Sequence, residues 1–369
     1  MELTPQQALG LRMSSLLLRA STGAGRATGV AEVVTWLGAM QAQDLASGLW
    51  SFGARLPGHT AADVTAALER REALRTWPMR GTIHFVPSRD ARWMVELMGV
   101  RVLNGAARRR EQLGLSEETA LQAMEVLGAA LAGGGRLSRS ECLAVLTEKG
   151  IDTSGQRGYH LLWYASQRGL LCIAPNIGNE QSFVLLDEWA PDPHRPERDE
   201  ALGTIALRYF RGRGPTTRQD FAGWTGLTAT DAKRGIAVAG DALARVTVQG
   251  LETYLDAALL DTTPPPAGDD EVLVLPGFDE YLLGYKDRSL MVADEHKAAI
   301  IPGGNGIFRS TVVRAGRVVA TWTRTLTKSG VRIAVQPLTP LGGSDRAEVE
   351  RAFEPYAQFV ERTPEVRWP

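Results

Sequence analysis

Cysteine is almost absent from this 369-residue chain: Cys142 and Cys172 are the only two, and they form no CxxC pair. That excludes a disulfide framework and a cysteine-rich zinc site, and fits buried free thiols in a reducing, cytoplasmic setting. Histidine is scarce too. His59, His84, His160, His194 and His296 show no ligand spacing with carboxylates, and no HExxH occurs, so no metal is expected. The chain also lacks a GxxxxGK phosphate loop and a GxSxG elbow, and no cofactor is predicted. Long apolar runs are missing. Leu16-Leu17-Leu18 is far too short to cross a bilayer, and Met1–Pro5 lacks the basic start of a secretion signal, so no membrane partner is expected.

What is present is arginine, which supplies 36 of the 41 cations against 42 acids, for a net charge of −1. The balance is uneven: residues 1–115 hold 14 basic and nine acidic side chains. A planar guanidinium suits phosphate better than a lysine point charge, so a local basic face on the N-terminal part is compatible with nucleic acid despite the neutral sum.

The order of elements is informative. Thr4-Pro5 puts a capping side chain and a proline at a helix start, and Leu9, Met13, Leu16 and Leu17 continue at helical spacing until Gly23, Gly25 and Gly29. A second helix is predicted from Val30 to about Gln41, a third after Thr60, and then a strand from Arg80 to Val86. Helix cap, helices and hairpin recur twice, starting at Ser138-Arg139-Ser140-Glu141 and at Thr217-Arg218-Gln219-Asp220. Proline-rich stretches at 190–196 and 262–268 read as linkers, and the texture beyond the second is mostly strands. The predicted fold class is α+β: tandem winged-helix (helix-turn-helix) modules over 1–115, 116–190 and 191–262, then a β-rich, barrel-like region over 263–369 with a closing helix from about Asp345 to Phe359. Small helical modules with hairpins also serve as protein-interaction domains, so this pattern alone leaves DNA binding open.

Four phrases narrow the choice. Gln41-Ala42-Gln43-Asp44 is followed by Arg75–Phe85 (RTWPMRGTIHF), Leu275–Arg288 (LPGFDEYLLGYKDR), and Gly306-Ile307-Phe308-Arg309 leading to Trp322. In this order and spacing they resemble the AlkZ-like family of winged-helix DNA glycosylases, over about residues 4–360. The resemblance implies a monofunctional enzyme that hydrolyses the N-glycosidic bond of cationic alkylated purines (N7-alkylguanine, N3-alkyladenine), with bulky natural-product adducts or crosslinks as further substrates. It would act in DNA repair or self-resistance, on double-stranded DNA at the nucleoid, as a monomer. The rival reading is a non-catalytic winged-helix DNA-binding protein or regulator.

By the same resemblance, Gln41 and Gln43 hold the water that attacks the sugar; by themselves they read as a polar pair at a helix end. Glutamine has no useful pKa and cannot be a general base, so it can only orient and polarise a water. That suffices where the purine already carries positive charge and leaves readily. Arg80 and His84, four apart on the predicted strand, share a face and read either as a structural pair or as phosphate contacts. Asp279 and Arg288 belong to a dense polar cluster that either pairs modules or lies near the lesion. Arg314 and Arg317 flank a predicted hairpin tip, Ala315-Gly316, which the resemblance implies enters a DNA groove. Trp50 and Trp77 are the tryptophans expected nearest a base.

Overall fold

A computed structural model describes residues 1–19, 27–261, 265–268, 270–304 and 306–369. Gly23 and Gly25, and Thr262, Thr263 and Pro264 of the second linker, lie outside the described residues. Packing groups the chain into two compact units: Met1–Val64, Leu202–Trp224 and Thr228–Pro369 in one, Thr65–Ala201 and Thr225–Leu227 in the other. The sequence-predicted module 1–115 is thus shared between both.

In the first unit, Thr4 closes a capping box on the helix Pro5–Ser15: its hydroxyl accepts from the Gln7 N–H at 3.3 Å, and the Gln7 side chain accepts from the Thr4 N–H at 2.9 Å. Every residue from Ala8 to Ser15 is buried, so this helix runs through the unit's core. The next helix, Val30–Leu37, stops four residues short of the predicted end. Gly38 takes φ +76°, a left-handed conformation that glycine adopts without strain, and the chain leaves as a short extended segment, Met40–Gln41. Asp44 then caps the helix Leu45–Gly53, accepting from the Ser47 N–H at 3.1 Å. The glutamine pair therefore lies on an extended connection between two helices, not at a helix end.

The C-terminal part of this unit is a five-stranded sheet in the order Val272–Leu275, Ser310–Arg314, Arg317–Leu326, Gly330–Pro337, Thr363–Arg367. It is antiparallel except for the last pair, and its end strands do not meet, so it is a curled half-barrel rather than a closed barrel. The predicted closing helix is two, Gly343–Ala352 and Glu354–Phe359, divided where Pro355 can donate no backbone hydrogen bond. Trp50, Trp322, Phe353, Tyr356 and Phe359 pack with ring centroids 5.0–5.2 Å apart. The Trp50 indole donates to Val274 O and that of Trp322 to Leu275 O, both at 2.9 Å. This cluster fastens helix Leu45–Gly53 to the sheet and explains why Trp50 is buried instead of facing a base. Also in this unit, the helix Arg218–Thr225 as far as Trp224 and the helix Ala229–Ala239 precede the hairpin Leu243–Val248 and Leu251–Asp256, which Glu2–Leu3 extends by one parallel strand.

In the second unit the strands follow the order Thr82–Pro87, Ala73–Met79, Leu171–Ile177, Glu180–Leu185, Leu137–Ser138. The predicted strand Arg80–Val86 begins two residues late, because Arg80 (φ 54°) and Gly81 (φ 72°) form the two-residue turn of a hairpin. Trp77, on the first strand, is 1% exposed and belongs to the core. Ser138 and Glu141 form the expected capping box before the helix Arg139–Glu148.

Cys142 and Cys172 are free and buried, and burial pushes the Cys142 thiol up to about 12 and Cys172 higher still. At neutral pH both are protonated and shielded. The native protein should therefore give no reaction with an aromatic disulfide reagent and titrate two thiols once unfolded. One fast-reacting thiol in the native state would contradict this placement.

Candidate active site

The backbone carrying the glutamines is held by a fully buried ion pair. Arg213 donates from Nε and Nη2 to Glu280 Oε2 at 3.0 and 2.6 Å, with the two side chains 0% and 1% exposed. The remaining arginine protons go to the carbonyls at the end of the preceding helix: Nη1 to Leu37 O at 2.8 Å and Nη2 to Ala39 O at 2.9 Å. Glu280 completes the set by accepting from the Trp224 indole at 2.9 Å and, through Oε1, from the Gln41 backbone N–H at 3.1 Å. Trp224 also stacks on the guanidinium, 4.1 Å from its carbon to the ring centroid. Every stop along Leu37, Ala39 and Gln41 is thus tied to one charged pair whose desolvation is compensated by hydrogen bonds.

A second buried pair lies beside it. Arg55 grips Asp279 with Nη1–Oδ2 at 2.8 Å and Nη2–Oδ1 at 3.0 Å, while its Nε and Nη1 also donate to Leu16 O and Ser51 O at 2.8 Å. The Ser51 hydroxyl and the Tyr281 N–H donate to the same carboxylate at 2.9 Å. Burial alone would raise the Asp279 pKa; the Arg55 charge and these hydrogen bonds outweigh it and hold the carboxyl below the usual aspartate range. Phe278, in a left-handed conformation (φ 62°), lets the consecutive acids Asp279 and Glu280 both turn inward to different arginines.

On this frame Gln41 is 7% exposed and Gln43 is exposed. The Gln41 side-chain amide makes no hydrogen bond to any described residue, yet it is not among the sealed, unpartnered polar atoms, so this buried side chain keeps a narrow contact with solvent and its hydrogen-bonding capacity unspent. Asp44 is occupied as the cap of Leu45–Gly53 and lies 3.4 Å from Arg324 Nη2, which brings a cation next to Gln43. Arg324, Arg213, Glu280 and Arg55 were not singled out from sequence. The signal for one of them, Glu280, was there: it adjoins Asp279 inside an apolar phrase, and adjacent acids cannot be buried without partners.

The other predicted residues are placed as follows. Asp279 is 4% exposed and bound to Arg55, so its carboxylate anchors the fold and is not presented to a duplex. Arg288 is half-buried, stacks on Phe308 at 4.9 Å and donates to Leu282 O at 2.6 Å. It lines a cavity of about 400 Å³ together with Lys286, Lys297 and Ile300. The tip Ala315-Gly316 does not project. Gly316 packs against Leu9, where an added Cβ would come within 2.8 Å, and its carbonyl accepts from the Tyr281 hydroxyl. Arg314 is tied to Asp345 and Glu348, both at 3.2 Å, leaving Arg317 exposed. In the second unit, Arg80 sits on the turn and His84 on the strand after it, not on one strand. They still meet, Nη2 to Nε2 at 3.3 Å, and His84 Nδ1 lies 2.9 Å from Thr82 O. These partners assign the neutral tautomer with the proton on Nδ1. His84 is 0% exposed, so any effect it has on a ligand passes through Arg80.

A family model described as DNA glycosylase AlkZ-like matches residues 34–359. The chain belongs to this family. The AlkZ-like protein is accordingly an enzyme, a DNA glycosylase, and the reading as a non-catalytic DNA-binding protein falls away. A curated relative from Streptomyces sahachiroi, named an interstrand DNA cross-link repair glycosylase, is 30% identical over 308 residues, covering 78% of each chain. The solved structure of Streptomyces sahachiroi DNA glycosylase AlkZ matches with a TM-score of 0.81 over 100% of both chains at 24% identity, which establishes the common fold. Among the described residues no helix is long and apolar enough to cross a membrane.

Proposed function

We propose that this glycosylase hydrolyses the N-glycosidic bond of N7-alkylguanine and N3-alkyladenine in double-stranded DNA, with Gln41 and Gln43 orienting the attacking water. The observation that carries the reading is the Gln41 amide: unbonded to described residues, in a buried side chain whose amide is not sealed from solvent, on a backbone locked by Arg213 and Glu280. An amide so placed has little to do for stability and can accept or donate to a water. In the reaction the purine leaves with the glycosidic electron pair and becomes neutral. The water oxygen bonds to C1′ of the oxocarbenium-like sugar and releases a proton to solvent. Neither glutamine changes charge, which restricts the enzyme to leaving groups that are already cationic. No lysine lies near the pair in sequence, so the product is an intact abasic site without strand cleavage.

Arg324, Arg288, Arg317 and, in the second unit, Arg80 are the cations we assign to phosphate contact, and the two helix-and-hairpin repeats are read as winged-helix modules. Interstrand crosslinks fall within the range because the relative is named for their repair. The test incubates purified protein with a duplex containing one N7-methylguanine and follows released base. Release with intact strands is expected; no release from any alkylated duplex would reject the substrate assignment.

A further inference from the structure

The second unit carries a feature that the glutamine chemistry does not use. Tyr159, His160 and Trp163, on the helix Arg157–Gln167, line a cavity of about 220 Å³ together with Leu113, Arg109 and Gln156. Three aromatic side chains form one wall, with the His160 and Trp163 rings 5.3 Å apart. His160 is 7% exposed, and its Nε2 has no hydrogen-bond partner. A buried, unpartnered ring nitrogen costs free energy unless something else satisfies it. Burial, with Arg110 and Arg109 nearby, lowers the imidazole pKa, so the neutral ring is favoured and its unpartnered Nε2 can serve as one donor or one acceptor. The rim is basic. Arg109 donates to Gln156, and Arg108 beside it is exposed with no partner among the described residues.

Aromatic walls, an unpartnered ring nitrogen, and Arg109 in the lining with the exposed Arg108 next to it in sequence are elements that bind an unpaired nucleotide: stacking for the ring, a hydrogen bond for its edge, charge for its phosphate. The same cations disfavour a positively charged ring, which argues against the alkylated purine itself. We infer that this cavity takes one neutral nucleobase from an unpaired stretch of DNA, with its phosphate against Arg108 and Arg109. The inference rests on the reading that the protein acts on DNA, and it gives the second unit a binding role separate from bond cleavage.

The test compares, by fluorescence anisotropy on the full chain, a twelve-nucleotide oligothymidine with an oligomer of equal length whose residues are all abasic. The wild-type protein should prefer the base-bearing strand by about tenfold, the worth of one base stacked on aromatic side chains. Tyr159→Ala and His160→Ala should remove that preference, while Arg108→Ala should weaken both oligomers alike. Tyr159 is 37% exposed, so its truncation leaves the fold intact. Equal affinity for the two oligomers in the wild type, or a preference that survives both aromatic substitutions, would overturn the inference. Because the readout is binding to unpaired strands, it is independent of whether an N7-methylguanine duplex loses its base, so failure of this inference and failure of the substrate reading are distinguishable.

Discussion

Replacing Gln43 by alanine should slow single-turnover base release about 10²- to 10³-fold, the usual loss when one preorganised hydrogen-bonding group is removed from a reacting centre. The melting temperature should stay within about 2 °C, because Gln43 is exposed. Gln41→Ala should cost a similar factor in rate. Its amide has no protein partner among the described residues to leave unsatisfied, so stability falls only by the packing of a truncated side chain, about 1 kcal/mol. A rate loss of that size with the fold retained, in both variants, is the signature of groups that act on the reaction and not chiefly on stability. If either alanine variant keeps wild-type turnover, that residue has no part in the chemistry.

Glu280→Ala has the largest expected effect on stability. It leaves Arg213 charged and buried without a carboxylate, and strands the Trp224 indole and the Gln41 N–H as unpaired donors. Breaking a buried pair in this way costs about 3–5 kcal/mol. The double variant Arg213→Met, Glu280→Met should regain only the part that comes from the uncompensated charge, since the Trp224 indole, the Gln41 N–H and the Leu37 and Ala39 carbonyls still lose these partners. It should not regain activity. The carbonyls of Leu37 and Ala39 lose their donor and Gln41 loses its anchor, so the glutamine backbone is no longer held. Denaturant unfolding and single-turnover rates on the same three proteins check both halves. A double variant that is stable and fully active would show that the ion pair does not position the site.

Local signals carried through into the structure and non-local ones did not. The caps at Thr4, at Ser138 with Glu141, and at Thr217 with Asp220 form where expected, because a side chain reaching an N–H three residues on is decided within one turn. Where the helix after Val30 ends was also written locally, in Gly38, but the apolar spacing through Met40 hid it. The turn Arg80-Gly81 lacks the usual asparagine, so the sequence pattern extends the strand back over the turn itself. Polar clusters were the least legible. Asp279 and Glu280 look alike in the sequence, and only the fold shows that one meets Arg55 and the other meets Arg213 and the glutamine backbone. Likewise nothing local says that the Ala315-Gly316 tip packs on Leu9, or that Thr363–Arg367 adds a fifth strand to the sheet. The glutamine phrase was found by its company in the chain, not by any property of two amides one residue apart.

The central claim is that uncharged amides suffice because the departing purine supplies the driving force. The pH dependence of single-turnover release from an N7-methylguanine duplex tests it most directly. A glutamine pair has no group to titrate, so the rate should be flat from about pH 5.5 to 8.5. Gln43→Asp should introduce a decline only when the profile is extended below about pH 5, where an ordinary exposed aspartate becomes protonated. A wild-type rate that instead rises or falls tenfold per pH unit in that range would reveal a titrating acid or base in the reaction, and the account would be wrong.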